Sequence, residues 1–317
     1  MHLDTRLLRS FLTVASELNF SRAAQRLHMS QQALSAQIQR LELGVGAALF
    51  VRTTRYVRLT DAGHVLLPYA ESMITCTDRA ERALRSLDGS GAERLRVGFS
   101  TGAALDLTAP ILAAFAGLRP QVRVELREAP LSDPSAGLAD GGADAAFVRL
   151  PLGCDGLDHL DLLHDPRVLL VHESHPLAAR ASVTFAEVAD APLIVCRTRD
   201  RRWDDFWLAV DARGGAQPRV SHEVSTLDEE MLLVATRGAM SISVATAARW
   251  PHPPGLAFVP ITDLAPSVVA LAWARDATSP VLADLVAAAT AVRERPPHTG
   301  GVPRTAGRPP HRGTGPA

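Results

Sequence analysis

The chain has 317 residues, 47% of them hydrophobic and 21% charged, and its formal net charge is −1. These proportions are those of an ordinary soluble protein of about two domains, and they exclude a chain too polar to build a core. The sequence shows no leader peptide and no apolar run of membrane-spanning length, so a cytoplasmic protein without membrane contact is predicted. Its three cysteines are widely spaced, which predicts neither a disulfide framework nor a zinc site.

The small net charge hides an uneven distribution of charge along the chain. Residues 1–60 hold eight arginines against three acidic residues, whereas residues 91–292 hold 17 arginines against 25 acidic residues. All 33 basic residues are arginine, so every phosphate contact would fall to a guanidinium group. A basic first segment joined to an acidic body predicts that an anionic polymer binds near the N-terminus.

The first segment has the pattern of three helices followed by a two-stranded wing. Apolar spacing predicts a helix over 3–18 and a short helix over 22–27 that Ser21 precedes. Ser30 is a candidate N-cap for a longer third helix. Segment 49–60 then alternates bulky and basic residues, as the strands of a wing do. Three helices with a tight middle turn predict a winged helix-turn-helix.

One long helix is predicted over 61–87, with Thr60 as its cap and a kink at Pro68. Small and apolar residues recur in it at spacings of three and four, which is typical of a coiled-coil seam. The seam residues are Leu66, Ala70, Met73, Thr77, Ala80, Leu84 and Leu87. The sequence offers this seam no other partner, so a dimer is predicted; packing of the helix on its own domain is the alternative.

After a glycine-rich hinge at 88–91, strand and helix patterns alternate, which predicts an α/β domain with a parallel sheet. Helices are predicted at 104–118, 131–140 and 280–294. The segments that have the pattern of buried strands are 94–99, 122–128, 143–150, 167–173, 192–196, 219–224, 239–244, 256–261 and 268–274. Proline, glycine, threonine and arginine dominate from residue 296 onward, so a disordered tail is predicted there.

Residues 1–295 resemble the LysR-type transcriptional regulators. In the first segment the resemblance rests on the spacing of Ala33-Leu34-Ser35, Leu41-Glu42 and Leu49-Phe50, and on the run 20–27. Leu95 to Gly98 and His175-Pro176-Leu177 extend it along the chain. The sequence departs from the family at Ala36, which stands where members often have a basic residue, and this puts one usual DNA contact in question.

The resemblance implies a division of the chain into four parts. These are a winged helix-turn-helix at 1–60, a linker helix and hinge at 61–91, an effector-binding domain at 92–295 and a tail at 296–317. The family's effector domain resembles a periplasmic binding protein, with two α/β subdomains and the ligand between them. Here the subdomains would comprise 92–164 plus 267–292, and 165–266.

The third helix is expected to enter the major groove of DNA, where glutamine can pair with adenine and serine can contact several bases. Wing arginines are expected to contact phosphates or the minor groove. An ordinary solvated helix face is the alternative for the polar residues. The candidate DNA-binding residues are Ser21, Arg22, Ser30, Gln31, Gln32, Ser35, Gln39, Arg52, Thr53 and Arg55.

Residues 98–102 match the GxSxG pattern of a hydrolase nucleophile. A catalytic serine needs an oxyanion loop from an earlier strand, and this strand is predicted to be the first of its domain, so no enzyme is expected. The same turn offers free N–H groups and hydroxyls that suit an anion. Arginines at two further strand ends suit a carboxylate, although ordinary ion pairs are the alternative. The candidate effector-binding residues are Ser100, Thr101, Gly102, Arg149, Arg197 and Thr226.

The predicted function is therefore a regulator whose operator binding or activation responds to a small anionic effector. Its predicted partners are double-stranded DNA with an imperfect inverted repeat, a small carboxylate and other copies of the chain. The linker helix predicts a dimer, and the resemblance implies a tetramer. No cofactor is expected, and no metal either, because His172 and His175 on a strand end would point to opposite faces. The spacing of Cys154 and Cys196 does not match the family's peroxide sensors.

Overall fold

The structure is a computed structural model that describes residues 3–53, 56–87, 93–100, 104–198 and 200–294. The predicted hinge and the predicted tail lie outside the described residues. No helix within the described ranges is long and apolar enough to cross a membrane.

The N-terminal unit, here called the head, is a three-helix core with a wing. Its elements are α1 (Thr5–Glu17), α2 (Phe20–Arg26), α3 (Gln31–Val45), β1 (Phe50–Arg52) and β2 (Val57–Leu59). Ser30 caps α3 as predicted, because its hydroxyl accepts a hydrogen bond from the Ala33 amide. The predicted start of α2 after Ser21 is wrong, since the Asn19 side chain accepts from the Ser21 and Arg22 amides and starts the helix earlier.

The long helix α4 (Asp61–Leu87) begins as predicted at Thr60, whose hydroxyl accepts a hydrogen bond from the Gly63 amide at 3.0 Å. The first half of α4 packs into the head, where Ala70 and Ile74 are buried in the same core as α1. The expectation that the seam has no partner within the chain is therefore wrong for this half. Leu84, in the second half, is 64% exposed.

The remaining elements alternate between strands and helices, and together they form two groups of strands. They are β3 (Arg94–Ser100), α5 (Thr108–Leu118), β4 (Arg123–Ala129), β5 (Ala145–Leu150), β6 (Leu157–Asp165), β7 (Arg167–His172), β8 (Leu193–Cys196), α6 (Arg201–Trp207), β9 (Val220–Val224), α7 (Leu227–Arg237), β10 (Ser241–Val244), β11 (Leu256–Pro260), β12 (Ser267–Ala274) and α8 (Pro280–Arg293).

The first group is a five-stranded sheet in the order β4-β3-β5-β12-β6. Strands β3, β4 and β5 are parallel, whereas β12 runs antiparallel to β5 and β6. Helices α5 and α8 bury their apolar residues against this sheet, with Ile111, Phe115 and Leu285 at the centre of the core. We refer to this sheet with its helices as lobe one.

The second group, lobe two, contains an antiparallel sheet in the order β10-β7-β11 and the parallel pair β8-β9. A parallel bridge between Leu193 and Met240 joins the two sets. Helix α7 packs on them through Met231 and Val234. The chain passes from lobe one to lobe two at Pro166 and returns at Pro266, between consecutive strands.

The helix predicted at 131–140 is absent, and turns occupy this segment. The Asp133 carboxylate accepts hydrogen bonds from the amides of Ser135 and Gly137, which is a local alternative to helical bonding. Ala136 and Gly137 both have positive φ angles, of 50° and 84°, which a helix does not allow. We call residues 133–142 the turn segment.

Strand β6 was not predicted, because its aspartates and histidines obscure the strand pattern. It is the edge strand of its sheet, next to β12, so polar side chains such as His159 and His164 remain exposed, whereas Asp165 at its end is buried. Charged residues on edge strands are common because they discourage pairing with other chains.

The head and lobe one are in direct contact through α4 and the turn segment. The Thr75 hydroxyl donates a hydrogen bond to the Ala139 carbonyl at 2.9 Å. Thr75 is only 7% exposed, so this bond lies in a closed contact. Helix α4 is therefore attached to lobe one by packing as well as by the chain.

Gly98 to alanine should destabilise lobe one, because a Cβ at Gly98 would lie 1.9 Å from the Ala136 carbonyl oxygen of the turn segment. Thermal unfolding should show a lower melting temperature for this variant. Gly117 to alanine is the matched control, since a Cβ there meets nothing within 4 Å and lies in the helix α5. An equal melting temperature for both variants would contradict the close packing at Gly98.

Candidate DNA-binding surface and effector cleft

Helix α3 presents a polar face that is well exposed. Leu34, Ile38 and Leu41 are buried against α1, and the opposite side of α3 faces outward. Among the predicted residues, Gln31, Gln32 and Gln39 are exposed and Ser35 is partly buried. The predicted DNA-reading residues therefore share one accessible surface, which is the arrangement that entry into a major groove requires.

Two predicted residues come together where α2 meets α3. The Ser21 hydroxyl donates to the Gln31 side-chain oxygen at 3.0 Å, and both residues are exposed. This bond orients the Gln31 carboxamide before any DNA is bound. The Ser30 hydroxyl is already occupied at the start of α3, so its role in this structure is the cap.

The structure pairs two of the predicted arginines with carboxylates of the head. Arg22 lies 3.4 Å from the Glu17 carboxylate, and Arg52 lies 3.3 Å from that of Glu42. Arg52 also stacks over the Phe20 ring at 4.3 Å. Its guanidinium therefore ties the wing to the head, and the predicted phosphate contact would have to be made alongside these bonds.

The wing turn is closed by Thr53, whose side-chain oxygen accepts a hydrogen bond from the Tyr56 amide at 3.1 Å. Arg55 lies outside the described residues. On the second wing strand, Arg58 stacks over the Tyr56 ring at 5.4 Å.

Arg40 and Leu43 of α3 were missed at the sequence level. Arg40 is exposed, and no acidic side chain among the described residues lies within ion-pair distance of it. Leu43 is 84% exposed at the end of the same helix. Their spacings of four and seven from Ala36 would have placed them on the same outward surface.

The two lobes face each other across the carboxyl ends of their strands. In lobe one, β3, β5 and β6 run in the same direction and end at one edge; in lobe two, β8, β9 and β10 do the same. Ligands of open α/β sheets bind outside such edges. We call the space between these edges the cleft.

A buried ion pair of lobe one lies at the base of the cleft, and Thr246 of lobe two joins it there. Arg149 at the end of β5 donates to the Asp165 carboxylate at 2.9 Å, and both side chains are at most 5% exposed. Arg149 also donates to the Thr246 hydroxyl of lobe two at 3.3 Å, and that hydroxyl donates to Asp165. Burial lowers the pKa of Arg149, and the charge of Asp165 opposes this shift.

Two further contacts cross the cleft. Asp106, just before α5, pairs with Arg249 of lobe two. The Gly153 amide donates to the Asp200 carboxylate at 2.6 Å, and Asp200 also caps α6 through the Trp203 amide. The described cleft is therefore held in one closed arrangement by contacts that separation of the lobes would break.

The other predicted effector residues are distributed around these edges. Ser100 ends β3 and is 8% exposed. Arg197 follows β8 and lies 3.5 Å from the Glu223 carboxylate. The Thr226 hydroxyl accepts from the Glu229 amide and starts α7. Thr101 and Gly102 lie outside the described residues.

Arg167 was not singled out from the sequence, yet it is buried where the chain passes between the lobes. It donates to the carbonyls of Ala265 and Phe206, at 2.8 and 2.7 Å, and stacks over the Phe206 ring. Burial lowers its pKa to about 10. Its three contacts hold the two passing segments and α6 together.

Burial also changes the acidity of groups in both lobes. It raises the pKa of Glu230 to about 7 and the pKa of Cys196 to about 11, with the charge of Glu230 adding to the second shift. The pKa of Cys154 is likewise raised to about 11, mainly by burial and secondarily by the negative charge of Asp200. Reactive cysteines need a stabilised thiolate, so these shifts disfavour a peroxide-sensing pair.

A winged helix-turn-helix joined by one helix to a two-lobed α/β unit is the architecture of a ligand-regulated DNA-binding protein. Two family models match the chain: the bacterial regulatory helix-turn-helix protein, lysR family, over residues 5–64, and the LysR substrate binding domain over residues 88–293.

Several known proteins are similar over most of the chain. It is 36% identical to the uncharacterized HTH-type transcriptional regulator YnfL of Escherichia coli, covering 78% of this chain and 84% of that one. It is 34% identical to the HTH-type transcriptional regulator AlsR of Bacillus subtilis, over 78% of this chain and 82% of AlsR. Full-length BenM matches with a TM-score of 0.53 and 25% identity, covering 92% of this chain and 96% of that one. The structure of CbnR, a LysR family transcriptional regulator, matches with a TM-score of 0.55 and 24% identity. The match covers 92% of this chain and 100% of CbnR, and it supports the fold.

The chain belongs to the LysR family of bacterial transcriptional regulators. It is a DNA-binding transcriptional regulator with an effector-binding domain, and its family and relatives are regulators rather than enzymes. The predicted family and fold class, an N-terminal winged helix-turn-helix followed by an α/β effector domain, are confirmed.

Alkylation with iodoacetamide at pH 7.5 should modify Cys76 first, because it is exposed while Cys154 and Cys196 are partly buried with raised pKa values. Modification of the latter two should accelerate steadily as the pH rises toward 11, since only the thiolate reacts. Mass spectrometry of the intact and digested protein follows each site, and labelling in urea is the control. Labelling of Cys154 as fast as Cys76 in the native protein would contradict the burial of its thiol.

Proposed function

We propose that this regulator binds an operator with an imperfect inverted repeat, and that a small carboxylate bound in the cleft modulates operator binding or activation. The observation that carries the proposal is the set of arginine and hydroxyl side chains at the two facing strand edges. This set includes Ser100, Arg149, Arg197 and Thr226. Guanidinium groups bind carboxylates through paired, charge-assisted hydrogen bonds.

On the DNA side, the outward face of α3 enters the major groove and the wing follows the phosphates. The exposed glutamines Gln31 and Gln32 supply base contacts, and the hydrogen bond from Ser21 orients Gln31. Arg22, Arg52, Thr53 and Arg55 contact the backbone. Such contacts position the protein without reading the sequence.

On the effector side, the carboxylate competes with Asp165 for Arg149. Because Arg149 and Asp165 are both buried, separating them is costly, so the ligand carboxylate has to take the place of Asp165 on Arg149 while the Thr246 amide and hydroxyl still donate to Asp165. Ser100, Thr101 and Gly102 supply hydroxyl and amide donors from lobe one, and Arg197 and Thr226 complete the site from lobe two. This arrangement makes effector binding sensitive to the separation of the lobes.

The signal reaches DNA through the turn segment and α4. The turn segment packs on Gly98 of β3, the strand that ends at Ser100, and its Ala139 carbonyl accepts the hydrogen bond from Thr75. A shift of β3 on effector binding would therefore move the contact on the linker helix. Two discrete arrangements of such a contact are what a regulatory coupling requires.

The proposed division of the chain follows the predicted boundaries. It places the DNA-binding domain at 1–60, the linker at 61–91 and the effector domain at 92–295, with subdomains 92–164 plus 267–292 and 165–266. The strand membership of the two lobes supports it. A cytoplasmic location fits a DNA-binding regulator and remains a prediction.

A selection and a ligand screen test the proposal together. Full-length protein should enrich inverted-repeat sequences from a randomised duplex library, and some members of a panel of small carboxylates should raise its melting temperature and change operator affinity. Arg197 to glutamine should weaken that response about tenfold or more, since charged hydrogen bonds contribute about 1.5–3 kcal/mol. Its side chain is 44% exposed, so the variant should fold.

Arg237 to glutamine is the matched control, because Arg237 is an exposed arginine at the far end of α7. It should leave both the melting shift and the operator affinity unchanged. A response to amines but not to carboxylates, or an unchanged response in the Arg197 variant, would overturn the anionic effector site. Failure to enrich any sequence would overturn operator binding.

We further propose a dimer through α4 and a tetramer through the effector domains. Val65, Tyr69 and Leu84 are exposed on α4, which supports the first contact. Exposed apolar residues on the outer strands and helices of both lobes support the second; these are Leu118, Leu126, Val220 and Leu232. Exposed apolar side chains that form a contiguous surface mark protein–protein contacts.

Leu84 to aspartate should impair dimer formation, because it would bury an unpaired carboxylate in the contact between linker helices. Light scattering should then report a smaller particle, and operator affinity should fall because one half-site is bound weakly. Leu84 to methionine, which keeps the apolar side chain, is the control and should assemble normally. A wild-type monomer at micromolar concentration would contradict the proposed assembly.

A further inference from the structure

The centre of the outward face of α3 is apolar. Residues of an α-helix spaced by three or four share a face. Gln32, Ala36, Gln39 and Leu43 have spacings of four, three and four, and all are exposed. Ala36 lies on the side opposite the buried Leu34 and Ile38, so its methyl group faces outward at the middle of this row.

We infer that Ala36 is a base-reading residue that contacts the 5-methyl group of thymine, and that Arg40 supplies the phosphate contact one turn beyond it. This inference rests on the proposed entry of α3 into the major groove. It goes beyond the polar contacts proposed above, because it assigns an apolar contact and a base identity to one position of the operator.

The chemistry of the groove favours this assignment. In the major groove, thymine is distinguished from the other bases by its methyl group, and alanine is one of the side chains that contact it. Gln32 and Gln39 flank Ala36 on either side, and glutamine pairs with adenine. The outward face therefore suits a half-site rich in A·T pairs, in which the adenine and the thymine are read by adjacent turns of the helix.

The distribution of charge around Ala36 also favours the assignment. Ala36 has neither a charge nor a hydrogen-bonding group, so it cannot discriminate guanine by the paired contact that arginine makes. Arg40 is exposed and has no carboxylate within ion-pair distance among the residues that the structure describes, unlike Arg22 and Arg52. Its guanidinium is therefore available to a phosphate at the edge of the groove.

The test uses full-length protein and DNA enriched from the randomised duplex library. Each thymidine of the enriched duplex is replaced in turn by deoxyuridine, which lacks only the methyl group. We expect one position in each half-site at which this replacement weakens binding about fourfold, because the loss of one buried methyl-sized contact changes affinity by about that factor. The ratio of affinities for the thymidine and deoxyuridine duplexes is the measured quantity.

Ala36 to glycine should bring this ratio to about one, because the contacting methyl is gone. A loss of helix stability affects both duplexes equally and cancels in the ratio. Ala36 to arginine should instead change the enriched base at that position to guanine, a gain that an unfolded protein cannot produce. A ratio near one at every position of the wild type, or an unchanged ratio in the glycine variant, would overturn the reading role of Ala36.

Arg40 to glutamine should weaken binding to all sequences similarly and leave the enriched bases unchanged. The slope of log affinity against log salt concentration should fall by about one, the value for one lost phosphate contact. Arg237 to glutamine is the control and should keep the salt dependence. An unchanged salt dependence for the Arg40 variant would overturn the phosphate contact. If the wild type enriches no sequence, the proposed operator binding fails; if it enriches one without a methyl effect, only this inference fails.

Discussion

The closed arrangement of the effector domain depends on the buried carboxylate of Asp165. This carboxylate ends β6 at the passage between the lobes and accepts hydrogen bonds from Arg149 of lobe one and from the Thr246 amide of lobe two. A carboxylate removed from water is tolerated only when such partners satisfy it, and removing one partner of a buried ion pair costs about 3–5 kcal/mol. The network therefore fixes how the two strand edges face each other, and with them the shape of the cleft.

Arg167 complements this network from the other side of Pro166. It has carbonyl acceptors and an aromatic ring around its guanidinium, and these join α6 to the segment by which the chain returns to lobe one. Two oppositely charged residues, separated by one proline, thus hold different parts of the same passage. Relative movement of the lobes must rearrange at least one of these sets of bonds. The passage at Pro166 is therefore where movement between the lobes is most constrained.

The linker helix connects the head to lobe one because neighbouring residues near its middle contact both units. Ala70 and Ile74 bury it in the head, and Thr75 bonds it to the turn segment of lobe one. Packed side chains therefore join the head to lobe one, which gives the proposed coupling a continuous structural path. The polar face of α3 and the cleft are in this way parts of one connected structure.

The sequence by itself determined the family, the winged helix-turn-helix and nearly all the strands. Hydrophobic periodicity and capping residues such as Ser30 and Thr60 depend only on nearby residues, so they can be recognised in a single sequence. The same holds for the outward polar face of α3, which follows from helical spacing. Most candidate site residues could therefore be named in advance, although their partners could not.

Only the tertiary structure decided which of these groups are paired, buried or free. The segment 131–140 has helical spacing but forms turns because Asp133 bonds to nearby amides, and the edge strand β6 lacks a clear pattern. The sequence predicted a ligand contact for Arg149, with an ion pair as the alternative, and a DNA contact for Arg52; only the structure shows that Asp165 and Glu42 pair with them. Ion pairs, burial and the pKa shifts that follow depend on residues far apart in the chain, and such contacts leave no periodic trace in the sequence.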